Sequence, residues 1–335
     1  MRRLVTPGRL AIAGLALLAV VLALMVIPSG EVIFLPDAAH PVAPLVTFHG
    51  ARDPKHGGVY FVDVFERKAT LLERLFGGLH EGADLYPADA VNPPGVGDTQ
   101  RRRIDQQDMH RSQEVAAAVA LKAAGKHVIL RNTGALVDGV QSGKPAVGKL
   151  EPDDVIVAVN GKPVRTPSQV FSAMSKVAIG DTVRLTVRRG NQTVVESIKT
   201  VQSDDSPKRA VVGVFLQPAT DIQLPFPVRI DAGNVGGPSA GLAFALEVMQ
   251  ELGHNVLHGH KIAATGELEP DGSVHPIGGV KQKTIGAREA GVDAFLVPAG
   301  DNAAEARKYA HGLRIIPVES FQQALRALAT LGPPA

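Results

Sequence analysis

One uninterrupted apolar segment near the amino terminus constrains this chain more than any other feature of its sequence. Every residue from Leu10 to Ile27 is apolar or glycine, which approaches the roughly 20 residues that a helix needs to cross a bilayer. A cleaved secretory signal would have an apolar region of only about 7 to 15 residues before a small-x-small site. Here the segment ends at Val26, Ile27 and Pro28. We therefore predict a retained transmembrane helix at residues 10–27.

The charges before this segment predict its orientation. Arg2, Arg3 and Arg9 precede it, and positively charged flanks stay on the cytoplasmic side of a membrane. Residues 1–9 are therefore expected to be cytoplasmic, and everything after Ser29 extracytoplasmic. The predicted localisation is the cell membrane, with a single pass.

Composition excludes several classes of protein and site. The formal net charge of the chain is only +2, so it lacks the basic surface with which nucleic-acid-binding proteins neutralise phosphates. No cysteine is present, which excludes a thiol nucleophile and a disulfide framework. His258 and His260 are two residues apart without a third ligand in the pattern, so no metal site is predicted.

The chain beyond the apolar segment is predicted to be α+β and to have three parts. Residues 28–124 are expected to form an extracytoplasmic linker with a small α/β element. It includes a strand at Val59 to Phe65, a loop at Pro93 to Gly97 and an alanine-rich helix at Ser112 to Ala124. Residues 125–204 and 205–332 are predicted to be two further domains, in keeping with the usual domain size.

The middle segment contains a compact strand and turn pattern. A polar turn at Gly148 leads into an apolar strand, which Asn160-Gly161 ends as a hairpin turn. A helix at Ser168 to Lys176 and a strand at Thr182 to Val187 are predicted to follow. This order resembles the PDZ domain family. The resemblance implies a β-rich module that captures an extended peptide at a sheet edge, while a module that serves only as a spacer is the alternative.

A glycine-rich loop, residues 234–241, precedes a predicted helix. Pro238 suits the first helical position, which places Ser239 in the first turn. Apolar residues follow on the same face as Ser239: Leu242, Leu246 and Met249. Ser239 is then either a nucleophile in a crevice or a helix cap. Gly236 and Gly237 favour the nucleophile, because they let backbone amides approach a bound carbonyl as in an oxyanion hole.

A serine hydroxyl needs a neighbouring base before it can attack a carbonyl. A second helix is predicted from about Val280 to Ala290, and Lys283 shares its apolar face while Lys281 points nearly the opposite way. Burial would lower the pKa of Lys283 until the neutral amine could accept the Ser239 proton. The alternative is a lysine that extends along its stem to solvent.

Ordered motifs in the last part of the chain carry a second resemblance. The motifs are Gly237-Pro238-Ser239-Ala240-Gly241, Thr265-Gly266-Glu267-Leu268, Val274-His275-Pro276-Ile277-Gly278-Gly279-Val280-Lys281-Gln282-Lys283 and Leu296-Val297-Pro298 with Asn302. Together they resemble the proteolytic domain of the Lon peptidase family. The resemblance implies an α/β domain in which Ser239 is the nucleophile, Lys283 the base and Thr265 a residue that helps to hold the lysine. Backbone amides near Gly237 and Ala240 would bind the oxyanion.

The chain also departs from the Lon pattern. Gly236 stands where many Lon proteases have an acidic residue, and no Gly-x-x-x-x-Gly-Lys-Ser/Thr loop occurs, which an ATP-driven unfoldase needs. No cofactor is therefore predicted. The combination resembles membrane-anchored Lon-like peptidases, which implies an ATP-independent endopeptidase acting on protein or peptide substrates that the PDZ domain engages. Lon-like domains tend to form rings, so a homo-oligomer remains open.

Two other functions compete with this interpretation. The segment Gly237 to Gly241 also fits the Gly-x-Ser-x-Gly elbow of α/β-hydrolases, with His275 or His311 as base, although a proline before the nucleophile fits that elbow poorly. Such a protein would be an esterase. The other alternative is a membrane-tethered PDZ adaptor whose peptidase domain is inactive.

Overall fold

The computed structural model describes residues 7–47, 57–91 and 98–332. The predictions for Arg2, Arg3 and the loop at Pro93 to Gly97 concern residues outside these ranges. The helices are α1 (Pro7–Val26), α2 (Leu71–Leu75), α3 (Ala88–Val91), α4 (Asp98–Ala123), α5 (Pro167–Met174), α6 (Gly241–Glu251), α7 (Val280–Glu289), α8 (Asp301–Tyr309) and α9 (Phe321–Ala329).

The strands are β1 (Pro28–Pro36), β2 (His40–Pro41), β3 (Val46–Thr47), β4 (Gly58–Phe61), β5 (Val64–Thr70), β6 (Asp84–Pro87), β7 (Ile129–Val140), β8 (Val155–Val159), β9 (Lys162–Pro163), β10 (Thr182–Arg189), β11 (Gln192–Lys199), β12 (Val201–Gln202), β13 (Ala210–Val211), β14 (Val214–Gln223), β15 (Arg229–Ile230), β16 (Lys261–Ala264), β17 (Glu267–Leu268), β18 (Val274–His275), β19 (Ala294–Pro298) and β20 (Arg314–Val318). Helices and strands are therefore mixed, as predicted.

Helix α1 occupies most of the apolar segment. The amide of Leu71, the first residue of α2, donates to the carbonyl of Ile27, at 2.9 Å, which ties α2 to the end of α1. The structure does not confirm the predicted transmembrane helix at residues 10–27. Within the described ranges, it contains no helix with both the length and the apolarity that crossing a membrane requires.

The chain forms two compact units. The first comprises residues 1–93, 105–116 and 229–335, and the second comprises residues 94–104 and 117–228. Strand β14 lies within the range 205–332 that was predicted as the last domain, yet it pairs with β7 of the second unit from Val214 to Gln223. Contacts therefore divide the chain later than the predicted boundary after residue 204.

The first unit is built around a five-stranded sheet in the order β2-β4-β16-β19-β20. Strands β4, β16, β19 and β20 are parallel to one another, and every residue of β19 is buried, as expected when both faces of a parallel sheet are covered. Strand β4 pairs with β16 in register from Gly58 to Phe61. The amino-terminal segment predicted as a linker therefore contributes to the central sheet of this unit.

Helix α6 packs within the first unit. The apolar residues that were predicted to follow on the same face as Ser239 are buried: Leu242, Leu246 and Met249. The remaining residues from Gly241 to Met249 are buried too, as is typical of a central helix that is covered on all sides. Phe244 of α6 contacts Phe61 of β4, with ring centroids 6.1 Å apart.

A smaller antiparallel sheet, β5-β1-β6, completes the first unit. The end of β1 leads into Asp37, whose carbonyl oxygen lies against Gly286 of α7, so closely that a β-carbon at position 286 would clash with it. The glycine thus allows α7 to approach this backbone.

The second unit is an antiparallel sheet in the order β11-β10-β8-β7-β14 with helix α5. The predicted strand at residues 155–159 is β8, and the turn at Asn160-Gly161, where both φ angles are positive, joins it to β9. Helix α5 begins after Thr166, whose side chain accepts the Gln169 amide as an N-cap. The core contains buried aliphatic residues from the strands, including Ile156, Val183, Val187 and Ile198.

Candidate active site

Ser239 lies in a single 3-10 turn, Pro238–Ala240, directly before α6. The turn begins after Gly237, whose φ of +84° is readily adopted only by glycine. Pro238 is its first residue, as the sequence predicts, since its missing N–H would have no partner there. Ser239 is therefore held in a tight turn at the start of the helix.

The backbone on both sides of Ser239 is fixed by hydrogen bonds. The carbonyl oxygen of Ser239 accepts from the amide of Gly266 at 2.8 Å and from the hydroxyl of Thr265 at 3.1 Å. The hydroxyl of Ser112 donates to the carbonyl of Pro238 at 3.0 Å. Thr265 was expected to help hold Lys283, whereas its hydroxyl donates to the peptide group of Ser239.

The side chain of Lys283 meets Ser239. Its Nζ donates to Ser239 Oγ at 2.8 Å, and its residue is only 5% exposed. The structure thus places it in the interior rather than along the surface. Burial lowers the pKa of Lys283 to about 8, while the charge of Asp63 opposes the shift. On the order of a tenth of the amine is then neutral at pH 7, since one pKa unit is a tenfold ratio.

Lys281 and Gln282, the neighbours of Lys283 in α7, bind residues other than Ser239. Lys281 Nζ donates to Asp84 Oδ1 at 2.9 Å and to the carbonyl of Ala83 at 3.2 Å. Gln282 Nε2 donates to Asp84 Oδ2 at 2.8 Å. The predicted difference between the two lysines is therefore present: Lys281 forms an ion pair, and Lys283 contacts a hydroxyl.

One of the amides predicted to bind an oxyanion already has a partner. The amide of Gly237 donates to the carbonyl of Asp105 at 2.7 Å, within the first unit. Pro238 has no N–H, so the amide of Ser239 is the first possible donor of the turn, at a helix end where N–H groups lack intrahelical partners.

Three titratable groups that were not predicted as site residues lie in the same unit. Atoms of Asp37, His40 and Asp63 that could act as ligands all lie within 4.8 Å of one another. His40 Nε2 is 3.5 Å from Asp63 Oδ1, so a protonated His40 would form an ion pair with this carboxylate. Burial raises the pKa of Asp63, and the charge of Asp37 adds to the effect. No motif marked these residues, since they lie in the predicted linker.

The histidines of the alternative hydrolase mechanism have other surroundings. His275 Nε2 is 3.2 Å from Ser273 Oγ, and His311 is exposed. His260, considered above for a metal, is buried and contacts the carbonyl of Gly332 at 2.6 Å. The base that the described residues place at Ser239 Oγ is Lys283.

Comparison with known proteins identifies two domains. Residues 207–330 match the family model of the Lon protease (S16) C-terminal proteolytic domain, and residues 122–200 match that of the PDZ domain. Both resemblances predicted from the motifs are thereby confirmed. The chain carries a Lon-type proteolytic domain and a PDZ domain.

Individual relatives match only in part. Lon protease 2 of Bacillus subtilis is 26% identical over 225 residues, which cover 63% of this chain and 40% of the relative. Lon protease of Chloroflexus aggregans is 32% identical over 150 residues, covering 43% and 18%. The chain thus spans less than half the length of these relatives. The PDZ domain of an SdrC-like protein from Listeria monocytogenes aligns with a TM-score of 0.23 and 21% identity, covering 25% of this chain and 87% of that domain.

Proposed function

We propose that this chain is a serine-type endopeptidase that uses Ser239 as nucleophile and Lys283 as general base and that works without ATP. The observation that carries the proposal is the 2.8 Å contact between Lys283 Nζ and Ser239 Oγ at a buried amine. A buried lysine with a lowered pKa and a hydroxyl at hydrogen-bond distance have the geometry of an activated nucleophile.

The reaction would proceed in two halves. Neutral Lys283 takes the Ser239 proton while Oγ attacks the scissile carbonyl, and the amide of Ser239 stabilises the oxyanion. The lysine then returns the proton to the leaving amine, which breaks the peptide bond and forms an acyl-enzyme. Lys283 then takes a proton from a water molecule that attacks the acyl carbonyl, and returns this proton to Ser239 Oγ as the ester bond breaks and the second product leaves.

Two features of the sequence indicate what kind of substrate the chain would cleave. PDZ domains bind extended peptides along a sheet edge, and the sequence contains no Gly-x-x-x-x-Gly-Lys-Ser/Thr loop. We infer that substrates are flexible segments or exposed ends of proteins, because this sequence offers no nucleotide loop with which to drive unfolding. The extracytoplasmic origin of these substrates stays a prediction.

Cleavage of an unfolded protein tests the proposal. The full chain, Ser239→Ala, Lys283→Ala and His275→Ala would be incubated with casein without ATP, and fragments followed by mass spectrometry. We expect both dyad variants to be inactive and His275→Ala to cleave like the wild type. A Lys283→Ala protein that cleaves beside an inactive His275→Ala protein would support the hydrolase alternative. Wild type as inert as Ser239→Ala would favour the adaptor.

A further inference from the structure

Asp63 lies at the edge of the sheet where the proposed active site is built. Strand β4 ends at Phe61, which pairs in parallel with Ala264 of β16. Asp63 therefore follows β4 at the same edge at which Thr265 follows β16, because the carboxyl ends of adjacent parallel strands coincide. Thr265 binds the carbonyl of Ser239 there.

The residues around Asp63 also support the helix that carries Lys283. Val64 fills the space beside Gly279, the N-cap of α7, and the carbonyl of Asp37 lies against Gly286 in the middle of α7. The Lys283 amide in turn donates to the carbonyl of Gly279 at 3.0 Å. The position of Lys283 thus depends on the segment that contains Asp63.

Proton transfer creates a charge that this site must accommodate. When Lys283 takes the Ser239 proton, an ammonium forms on a residue that is only 5% exposed, and a buried cation is costly without a counter-charge. Asp63 supplies the negative charge that acts on Lys283. Its Oδ1 is buried and accepts no hydrogen bond within the described part of the chain. His40 Nε2 lies 3.5 Å from this oxygen, so Asp63 is shared between the charge of His40 and that of Lys283.

We propose that Asp63 is a positioning residue of the proposed peptidase, a carboxylate that stabilises Lys283 while the lysine holds the Ser239 proton. This inference rests on the proposed function and adds a third group to its chemistry. The charged groups that face Asp63 are Asp37, which repels it, and His40 and Lys283, which attract it. The amino-terminal segment thereby becomes part of the reaction.

Replacing Asp63 by asparagine should have two effects. The plateau of kcat/KM should fall on the order of 10-fold to 100-fold, because the ammonium loses its counter-charge in the transition state. The acidic limb of the pH profile should also move to lower pH, because Lys283 then loses its proton more easily. A purely structural role would lower the rate without moving the limb.

Matched variants separate charge from packing. Asp63→Glu keeps the carboxylate and should return the limb towards that of the wild type. Asp84→Asn removes the carboxylate that pairs with Lys281 on the same helix, and its limb should stay in place. An NMR titration of protein labelled with [13Cε]lysine, with Lys283 assigned from the Lys283→Ala spectrum, should show the same downward shift of the pKa in Asp63→Asn, without any substrate.

The outcomes distinguish this inference from the proposed function. If wild type cleaves and Ser239→Ala does not, but the limb and the Lys283 titration of a folded Asp63→Asn protein match those of the wild type, only the role of Asp63 is refuted. A shift to higher pH would refute it as well. If wild type shows no cleavage that depends on Ser239, the peptidase proposal itself fails, while the NMR titration still measures the effect of Asp63 on the lysine.

Discussion

The two units of the molecule each contain a buried ionic group, and they treat it in opposite ways. In the second unit the side chain of Asp154 is 0% exposed, and Arg189 donates to both of its oxygens at 2.7 Å. This pairing raises the pKa of Arg189 above its ordinary value. In the first unit Lys283 is buried against a hydroxyl, and its pKa falls to about 8.

The two cations differ in intrinsic basicity, burial and partner. Arg189 has a side chain that is 33% exposed, and a bidentate carboxylate replaces the water that its always-charged guanidinium loses. Lys283 is almost fully buried, and a hydroxyl and the charge of Asp63 replace the lost water only in part, so the amine approaches neutrality. The first arrangement is suited to holding a fold together, and the second to moving a proton.

The largest expected effect comes from removing the buried amine of Lys283. Lys283→Met should reduce cleavage at least about 1,000-fold and yet stabilise the protein at pH 7. A shift from 10.5 to about 8 corresponds to about 3 kcal/mol of unfavourable burial. That cost is constant below pH 8 and disappears as the pH rises to 10.5, because the unfolded lysine then also loses its proton.

Urea unfolding at pH 7 and at pH 10.5 checks this prediction. The variant should be more stable than the wild type at pH 7, by up to about 3 kcal/mol, and the two should converge at the higher pH. A variant that is less stable at pH 7 would contradict the comparison, since Lys283 would then contribute to the fold as Arg189 does.

Breaking the paired charge should have the opposite sign. Asp154→Ala leaves Arg189 without its buried partner and should destabilise the protein by about 2 to 4 kcal/mol, measured by urea unfolding. The double variant Asp154→Leu/Arg189→Met should recover much of this loss, because an apolar pair of similar volume avoids the unpaired charge. A double variant as unstable as Asp154→Ala would show that packing, and not charge, causes the loss.

A smaller effect is expected at Glu247 of α6, which is fully buried. Burial, followed by the charge of Glu251, raises the pKa of Glu247 from 4.5 to about 7. The folded state then binds more protons than the unfolded state between these values, so wild-type stability should decrease as the pH rises from 4.5 to 7.

Glu247→Gln should lack this decrease. It should be more stable than the wild type at pH 8 by about 2 kcal/mol, because the shift corresponds to about 3 kcal/mol and burying the glutamine amide costs about 1 kcal/mol. Thermal unfolding between pH 5 and pH 8 measures the difference. Glu114→Gln, at a side chain that is 56% exposed, is the control and should follow the wild type. Equal pH dependence of stability in all three proteins would contradict this prediction, because burial would then not shift the pKa of Glu247 as it shifts that of Lys283.

The smallest expected effect concerns the support of the nucleophile. Thr265→Val removes one of two donors to the Ser239 carbonyl, and kcat should fall about 5-fold to 10-fold, or about 1 kcal/mol, with little change in KM. Thr265→Ser keeps the hydroxyl and should restore most of the rate. If the serine variant is as slow as the valine variant, the methyl group matters more than the hydrogen bond.

Local sequence patterns predicted the central contact of the site because its two residues are placed by helices. The start of α6 and the face of α7 are both determined within about ten residues, and counting helical positions placed Ser239 and Lys283 each on an apolar face. The resemblance to the Lon proteolytic domain then paired the two residues. Strand β8 and its Asn-Gly turn were also predictable, because the residues that determine them are neighbours in the sequence.

The features that were not predicted depend on contacts between residues that are far apart in the sequence. Strand β4 has only four residues, and nothing within it indicates that its partner is β16, some 200 positions later. The same is true of β14, which pairs with β7 instead of joining the later domain. Asp63 could therefore not be predicted as a neighbour of Lys283, nor could the use of the Gly237 amide by Asp105.

The pairing of β4 with β16 has a consequence for the order of synthesis. Residues 117–228 form most of the second unit from one nearly continuous stretch, so this unit can fold while the ribosome still lengthens the chain. The central sheet of the first unit must wait for β16, and Lys283 is made later still. A nascent chain would therefore present a folded PDZ domain before Ser239 and Lys283 can meet, since domains fold as units in the order of synthesis.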